Sequence, residues 1–398
     1  MSLNRIKLEN FRNFEKKSFE FSDKTTVIVG PNAAGKTNIL EALSLLSTGK
    51  SFRAKVEGEM ISHDAEIARI SADLRFKNID LRSKETPNTK NDTQHTKLEA
   101  VLTRGAITVG EGKIEKVQKK KLLVNGVSKR LIDFSGNFKT VLFGPWDMDL
   151  VSGSPSLRRE FLDNVLSQVD REYLRCLLSY EKGIRQRNKI LWDLRENPFI
   201  ITGRERLHFW DRLLIKNGNY ISQKREEFIK FCNNSEFQIL NSKLENDFLL
   251  EYDKSVISEA RLEEYQKEEA ASATTLVGPH RDDIKFKVKS LKVERNLATY
   301  GSRGEQRMGI LWLKMCELNF IEEEFRKQDP SARSIGSAWA NSGSAGRPTL
   351  LLDDIFSELD HEHREVVIKI IGNQQTIITT ADEHFIEGLP ESSIIKLN

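Results

Sequence analysis

Apolar residues change their spacing several times along this chain, and each change predicts a new kind of element. Near the N-terminus, segments 5–8 and 18–21 alternate apolar and polar residues, which is typical of half-buried strands. A continuous apolar run at 26–29 precedes a glycine-rich turn and a helical pattern at 38–43. This region therefore predicts a buried strand followed by a helix, with the two early strands beside the buried one.

Short alternating segments return between residues 67 and 127. They lie at 68–72, 98–102 and 121–126, and the last ends in Asn125-Gly126, a dipeptide that favours a two-residue hairpin turn. We therefore expect an antiparallel sheet here, interrupted by the polar segment 83–97.

The apolar period becomes helical from Ser154 onwards. Ser154 is suited to cap a helix and Pro155 to occupy its first turn. Apolar residues then recur every three or four positions as far as residue 178, and again along 204–231. A charged helix is predicted at 258–270, and together these segments predict a helical insertion that is too short for a long coiled-coil arm.

The C-terminal part returns to strands. Segment 284–288 alternates, whereas 349–352 and 376–379 are short apolar runs of the kind found in buried parallel strands. Residues 329–348 are rich in Ser, Ala and Gly and predict a flexible insertion. The predicted domains are a first domain at 1–152 and 272–398, with an antiparallel part at 60–140, and a helical domain at 153–271.

Composition limits the possible functions. The 398 residues hold 62 basic and 59 acidic side chains, a net charge of +3, so a nucleic-acid surface has to come from local clusters of charge. Cys176, Cys232 and Cys316 are scattered, as expected of buried thiols in a reducing compartment. Residues 1–17 lack the apolar core of a signal peptide, and no apolar run approaches the ~18 residues of a membrane span. We expect a cytoplasmic protein without a membrane partner.

A glycine-rich stretch of the form G-x-x-x-x-G-K-T connects the predicted buried strand to its helix. Its residues are Gly30, Pro31, Asn32, Ala33, Ala34, Gly35, Lys36 and Thr37. In this setting backbone N–H groups surround phosphate oxygens, Lys36 reaches the β- and γ-phosphates, and the Thr37 hydroxyl holds Mg²⁺. The helix N-terminus adds roughly half a positive charge. The stretch predicts a site for ATP and Mg²⁺ in which Lys36 is also catalytic.

Two aspartates end the apolar run at 349–352. Carboxylates at a strand tip are placed to meet Mg²⁺ and water beside the phosphates. We expect Asp353 to be the metal-side carboxylate and Asp354 to orient or deprotonate the attacking water.

A second anion site is predicted before the amphipathic helix that contains Leu311 and Leu318. The stretch Tyr300-Gly301-Ser302-Arg303-Gly304-Glu305-Gln306 contains S-x-G-x-Q, and a Ser hydroxyl with free amides at a helix N-terminus can hold a phosphate. One chain cannot readily place two such cradles on one nucleotide.

The order of these motifs, followed by Ser357-Glu358-Leu359-Asp360, resembles the ATP-binding-cassette heads of the SMC-like DNA-repair ATPases. The resemblance implies an α/β fold, namely an ABC-type P-loop NTPase head with an antiparallel β subdomain and an inserted helical second domain. In that family two heads enclose two ATP molecules. The resemblance therefore implies that Ser302 and Gly304 face the γ-phosphate held by a second copy, and that Asp360 lies at the dimer interface.

Further segments resemble the RecF family of bacterial recombination mediators. They are Phe11-Arg12-Asn13-Phe14, Gly35 to Ala42, Ser51-Phe52-Arg53, Val141 to Pro145, Gly153 to Asp163, Gln186-Arg187-Asn188, Leu276 to Asp283 and Leu350 to Asp360. The segments from Ser154 and Leu276 are specific to that family. Arg303 and Glu305, however, stand where the family usually has Gln.

The resemblance to the RecF family implies a function and partners. It implies nucleotide contacts for Arg12, Asn13 and Asn38 and a weak Mg-dependent ATPase. It also implies an ATP-induced homodimer that clamps duplex DNA near single-strand gaps and helps to load RecA, with RecR and RecO as partners.

Local charge identifies the candidate DNA surface. Residues 111–130 contain seven basic and two acidic side chains, a local net charge of +5. The predicted DNA contacts are Arg53, Lys119, Lys120, Lys121, Lys129 and Arg130. No aromatic platform interleaves with these cations, which argues against a dedicated single-strand binder.

Two other functions fit a phosphate loop. A transporter ATPase subunit would associate with a membrane, and Gly278-Pro279-His280-Arg281 and the large insertion weigh against it. A small-molecule P-loop kinase would phosphorylate an added acceptor without dimerising, and S-x-G-x-Q has no role in one.

Overall fold

The structure, a computed structural model of the chain, describes most of its residues. They are 2–77, 93–110, 112–196, 203–235, 246–290, 293–328, 347–359, 361–382, 384, 389 and 392–398. The predicted insertion at 329–348 lies almost wholly outside them, and so does Asp360. The chain forms two compact units, unit 1 at Met1–Pro145 with Glu317–Asn398 and unit 2 at Trp146–Cys316. The domain limits expected from the sequence stay predictions.

The strands of the described residues are numbered in chain order. They are β1 Ser2–Phe11, β2 Phe14–Glu20, β3 Thr25–Val29, β4 Ile67–Lys77, β5 Thr93–Thr103, β6 Ala106–Val109, β7 Lys113–Lys116, β8 Lys120–Val124, β9 Val127–Lys129, β10 Thr140–Phe143, β11 Asn246–Asp253, β12 Asp283–Ser290, β13 Val293–Asn296, β14 Thr349–Asp353, β15 Thr376–Thr380 and β16 Ser392–Lys396.

The α-helices of the same residues are numbered likewise. They are α1 Lys36–Thr48, α2 Leu131–Phe134, α3 Asp149–Ser152, α4 Pro155–Val169, α5 Arg171–Glu196, α6 Gly203–Asn234, α7 Glu259–Glu264, α8 Gln266–Ser272, α9 Leu297–Tyr300, α10 Arg303–Gln328, α11 Ile355–Glu358 and α12 His361–Ile371. None of the helices in the described residues is long and apolar enough to cross a membrane.

A parallel sheet in unit 1 carries the phosphate loop. Its order is β10-β14-β15-β3-β16, and β3, β14 and β15 are buried at every position. This burial explains their uninterrupted apolar runs, because a parallel sheet is covered on both faces. The parallel strands predicted at 349–352 and 376–379 are confirmed. Their carboxyl ends lie at the same edge as that of β3, so the phosphate loop and Asp353 meet there.

The early strands belong to a second sheet of unit 1. Its order is β2-β1-β4-β5-β8-β9, with antiparallel pairing throughout. The prediction that segments 5–8 and 18–21 lie beside β3 is therefore wrong, because the neighbours of β3 are β15 and β16. The physical reason is visible in β1, where Ile6 and Leu8 are fully buried but Lys7 is exposed. Such a strand needs one solvated face.

The turn predicted at Asn125-Gly126 is confirmed. Both residues have positive φ, 50° and 77°, and they connect the directly paired Val124 and Val127. Positive φ at both central positions is the geometry of the type I′ hairpin turn, which Asn-Gly adopts at low cost.

Unit 2 combines the helical segments with the sheet β11-β12-β13. α5 and α6 pack closely at Gly183, where an added Cβ would lie 2.9 Å from side-chain atoms of Leu213 and Leu214. The helix predicted at 258–270 is two shorter helices, α7 and α8, separated at Tyr265. The strand predicted at 284–288 forms as β12 and pairs with β11 and β13.

Candidate nucleotide site and its supporting networks

The phosphate loop turns tightly between β3 and α1. Ala33 and Gly35 have φ of 67° and 101°, and a Cβ at Gly35 would lie 2.7 Å from Asn13 Oδ1. At Gly30 an added Cβ would lie 2.8 Å from the carbonyl oxygen of Leu397. Both glycines are therefore required by close neighbours.

The Lys36 side chain folds back over this loop. Its Nζ donates hydrogen bonds to the carbonyl oxygens of Gly30 at 2.6 Å and Pro31 at 3.0 Å. An ammonium group held against loop carbonyls lies where a phosphate in the loop would also contact it. The role predicted for Lys36 stays a prediction.

Two hydroxyl groups bind the carboxylate of Asp353. Thr37 Oγ1 donates to Asp353 Oδ2 at 2.8 Å, and Thr379 Oγ1 donates to Oδ1 at 2.5 Å. Thr379 was not among the functional residues predicted from the sequence. Its position at the end of β15, the strand between β14 and β3, was the available signal.

The pair Thr37–Asp353 fits a magnesium ion. Mg²⁺ takes oxygen ligands in an octahedron at 2.0–2.1 Å, so adjacent ligand oxygens are about 2.9 Å apart. The 2.8 Å between Thr37 Oγ1 and Asp353 Oδ2 matches that spacing. The two predicted metal ligands can therefore serve one ion.

Asp354 follows in a left-handed conformation with φ of 49°. Its N–H donates to the carbonyl oxygen of Thr379 at 3.1 Å, and its own carbonyl accepts from Ser357 Oγ at 2.7 Å. These contacts fix the backbone so that Asp353 and Asp354 do not continue one regular strand. Asp354 is half-buried, and its role in orienting or deprotonating the attacking water stays a prediction.

A fully buried carboxylate, Glu41, supports the loop from within α1. It accepts from Arg12 Nε at 2.8 Å, from Arg12 Nη2 at 2.6 Å and from Ser51 Oγ at 2.5 Å. Glu41 was not among the site residues predicted from the sequence. The signal was a charged residue inside the apolar run Ile39-Leu40-Glu41-Ala42-Leu43, since a buried charge needs partners.

The other residues predicted around the nucleotide lie at the start of α1. Asn13 Nδ2 donates to the carbonyl of Ala34 at 3.2 Å, and Asn38 Nδ2 donates to Asn13 Oδ1 at 2.8 Å. Arg53 Nη1 donates to Asn38 Oδ1 at 2.9 Å. Arg53 therefore lies beside the phosphate loop, and its predicted DNA contact, like the nucleotide contacts of Arg12, Asn13 and Asn38, stays a prediction.

Ser302, in unit 2, directly precedes α10 and caps its N-terminus. Its N–H donates to Glu305 Oε2 at 2.7 Å, and the N–H of Glu305 donates to Ser302 Oγ at 3.2 Å. This is a capping box, which gives a structural reason for Glu at 305. Ser302 and Gly304 are exposed, and an added Cβ at Gly304 would meet Ser302 Oγ only at 4.0 Å.

The segment Gly278–Asp283 is the hub of a buried network in unit 2. Asp282 accepts from Arg225 Nη1 at 3.0 Å, from the N–H of Ser255 at 2.7 Å and from the Tyr252 hydroxyl. Arg225 also donates to Asp163 at 2.8 Å and to the carbonyl of Pro279 at 2.7 Å. The network joins α4, α6 and the strand β11 to this segment.

His280 completes the hub as a neutral side chain. Burial lowers its pKa to about 4. Its Nε2 lies 3.0 Å from the carbonyl oxygen of Thr275 and its Nδ1 lies 2.9 Å from the Tyr180 hydroxyl. A carbonyl only accepts, so Nε2 carries the proton and Nδ1 accepts from Tyr180. Gly278 has φ of 119°, and an added Cβ would lie 2.2 Å from Tyr180 Oη, so only glycine fits.

The predicted DNA-binding cations lie on and beside β8 and β9 in unit 1. Lys119, Lys121, Lys129 and Arg130 are exposed. Lys120 is half-buried and pairs with Glu57 at 2.9 Å. Lys120 is therefore the least accessible of these residues for phosphate.

The fold and this site define an ABC-type ATPase head of the SMC kind. A family model described as an AAA ATPase domain matches residues 1–328. The crystal structure of the Smc head domain with an extended coiled coil from Pyrococcus furiosus has a TM-score of 0.50 at 14% identity, covering 100% of this chain and 94% of that one. At that identity the likeness shows the fold alone.

The chain belongs to the RecF family. It is 32% identical over 403 residues to the DNA replication and repair protein RecF of Herpetosiphon aurantiacus, covering 96% of this chain and 94% of the relative. A solved structure of the recombination mediator protein RecF with ATP in the RecFOR pathway has a TM-score of 0.78 at 27% identity, covering 99% of this chain and 95% of that one. The resemblance and the fold class predicted from the motifs are confirmed.

Proposed function

We propose that this chain is an ATP-dependent DNA-binding recombination mediator and a weak Mg-dependent ATPase of the cytoplasm. ATP closes a homodimer around duplex DNA near a single-strand gap, and slow hydrolysis reopens it. With RecO and RecR it helps to load RecA. The observation that carries the proposal is the 2.8 Å contact between Thr37 and Asp353 in a chain of the RecF family.

Each side chain of the site has a separate task in this proposal. The loop N–H groups and Lys36 bind the β- and γ-phosphates, for which Lys36 exchanges its carbonyl partners Gly30 and Pro31. Thr37 and Asp353 hold Mg²⁺, which when bound neutralises charge on the phosphates. Asp354 orients the attacking water and accepts its proton.

The exposed Gly304 supports a second nucleotide contact across the dimer. Glycine in a helix costs about 1 kcal/mol relative to alanine, and apart from its chain neighbours and the backbone of its own helix no described atom lies closer than 4.0 Å to the position of a Cβ there. Packing within the described residues therefore does not require glycine, whereas close approach of a phosphate from a second copy would. The neighbouring Ser302 hydroxyl and the N-terminus of α10 suit that anion.

Substituting Ser302→Arg should abolish ATP-induced dimers while ATP binding is retained, because the larger side chain fills the space that the second nucleotide would occupy. Light scattering with Mg-ATP measures the dimer fraction, and a fluorescent ATP analogue measures binding. Ser272→Arg adds the same charge at an exposed position of unit 2 and should dimerise normally. An unchanged dimer fraction in Ser302→Arg contradicts the sandwich arrangement.

The function is tested by fluorescence anisotropy of a labelled gapped duplex at fixed salt, with and without Mg-ATP. We expect ATP to raise the DNA affinity of the wild type at least tenfold (~1.4 kcal/mol). ATP should leave the DNA affinity of Lys36→Ala unchanged, because the loop of this variant cannot hold the phosphates. If neither protein binds DNA, the proposal is wrong and the transporter and kinase functions return.

A further inference from the structure

The hairpin formed by β6 and β7 presents a surface on which exposed lysines stand beside exposed aliphatic side chains. Residues 113–116 are all exposed, and Ile114 is 74% exposed between Lys113 and Lys116. Val109, near the turn, is also exposed. Exposure of one aliphatic side chain is ordinary by itself, but here it stands beside lysines on the same short ribbon, a combination that suits a partner with both phosphates and apolar base surfaces.

The base of this hairpin is anchored to the main antiparallel sheet. Glu66, just before β4, accepts from the Thr108 N–H at 2.8 Å and from Thr108 Oγ1 at 2.6 Å, and these bonds lower the pKa of Glu66. The N–H of Thr103 donates to the carbonyl of Lys119 at 2.8 Å. An isolated two-stranded hairpin is only marginally stable in water. The hydrogen bonds at its base therefore stabilise this hairpin and fix its orientation relative to the antiparallel sheet.

The pleat places the cations on both faces of the hairpin. Thr108 pairs with Ile114 and Ala106 with Lys116, so Ile114 and Lys116 share one face and Lys113 lies on the other. A two-stranded ribbon with lysines on both faces can reach phosphates on both strands that border a DNA groove.

The surrounding charge favours a polyanion. Within the described residues 104–110 and 112–130 the exposed cations are Arg104, Lys113, Lys116, Lys119, Lys121, Lys129 and Arg130. The exposed acid in the same range is Glu115, whose carboxylate lies 3.4 Å from Lys113. The hairpin therefore extends the cationic surface of β8 and β9 and adds to it an aliphatic side chain.

We propose that residues 106–116 form a wing that enters the DNA minor groove at a single-strand/double-strand junction, with Lys113 and Lys116 on phosphates and Ile114 against the terminal base pair. This rests on the proposed DNA binding. An apolar wedge pays a few kcal/mol to unstack a base step, and a base pair at a junction has already lost one stacking neighbour. Ile114 thus makes the protein prefer gapped to continuous duplex.

The experiment compares gapped and continuous duplexes of equal length by anisotropy in Mg-ATP over a salt series. Ile114→Ser should reduce the gapped-to-continuous affinity ratio about fivefold, as expected for partial burial of one aliphatic side chain, without changing the salt slope. Val293→Ser, at an exposed position of unit 2 (59%), is the matched control. The double variant Lys113→Gln/Lys116→Gln should weaken binding to both duplexes and reduce the slope by about 1.8, whereas Lys267→Gln on α8 should not.

The outcomes separate the wing from DNA binding itself. If the wild type binds gapped DNA but Ile114→Ser keeps the full preference for gapped over continuous duplex, the proposed role of the wing is wrong and the proposed function stands. If the wild type binds no DNA, the proposed function fails first. If Ile114→Ser loses binding to anionic phospholipid vesicles and binds DNA as the wild type does, the hairpin contacts membranes and the proposal is wrong.

Discussion

Replacing Asp282 with alanine should destabilise unit 2 by about 3–5 kcal/mol, the usual cost of removing one partner from a buried ion pair. The carboxylate is fully buried and accepts from Arg225, Tyr252 and the N–H of Ser255. Without it the buried Arg225 guanidinium keeps Asp163 as its carboxylate partner, and two further donors lose their acceptor. The loss is large because water cannot readily replace the missing oxygens.

Urea unfolding monitored by tryptophan fluorescence measures this effect. Trp146, Trp192, Trp210 and Trp312 all lie in unit 2, so the signal reports mainly on that unit. Asp253→Ala is the control, because Asp253 is 59% exposed and pairs with Lys285 at 3.0 Å, a surface contact worth under about 1 kcal/mol. Equal destabilisation by the two variants would show that the hub does not hold unit 2 together.

Substituting Asp354→Asn should slow ATP hydrolysis by at least about a hundredfold, as expected when a general base is lost, while ATP binding is kept. Asp353→Ala should lose both ATP hydrolysis and ATP binding. The Asp353 carboxylate is proposed to supply one of the two oxygen ligands of Mg²⁺, and it also binds Thr37 and Thr379. Measuring ATP binding together with the rate of hydrolysis therefore distinguishes the roles of these two adjacent carboxylates.

Phosphate release measures the rate, and a fluorescent ATP analogue with and without Mg²⁺ measures binding. Asp64→Asn removes a carboxylate that is 100% exposed and should behave as the wild type. Wild-type hydrolysis by Asp354→Asn would rule out its role as the base. Unchanged Mg-dependent binding by Asp353→Ala would rule out the proposed metal ligand.

Local patterns predicted the elements whose causes are local. The uninterrupted apolar runs of β14 and β15 and the turn at Asn125-Gly126 follow from strand burial and backbone preference. The G-x-x-x-x-G-K-T loop and Asp353 were also predictable as one site, because the carboxyl ends of parallel strands share an edge.

Features that depend on distant neighbours were not predictable in the same way. The placement of β1 in the antiparallel sheet depends on its pairing with β4, more than fifty residues away. Glu41 is explained by Arg12 and Ser51, and Gly278 by its positive φ and by the Tyr180 hydroxyl beside it. In each case the sequence showed the residue, and its partner became visible only in the fold.

The pairing of β3 also affects how the protein is made. Thr25 of β3 pairs with Thr376 on one side and with Ser392 on the other, so both edges of this strand stay unpaired until residues more than 300 positions later have been made. At about 5–20 residues per second, the ribosome needs some tens of seconds to supply them. Until then an apolar strand has two open edges, a form prone to aggregation. A nascent chain of this protein should therefore depend on chaperones until β15 and β16 have been made, and become able to bind ATP only afterwards.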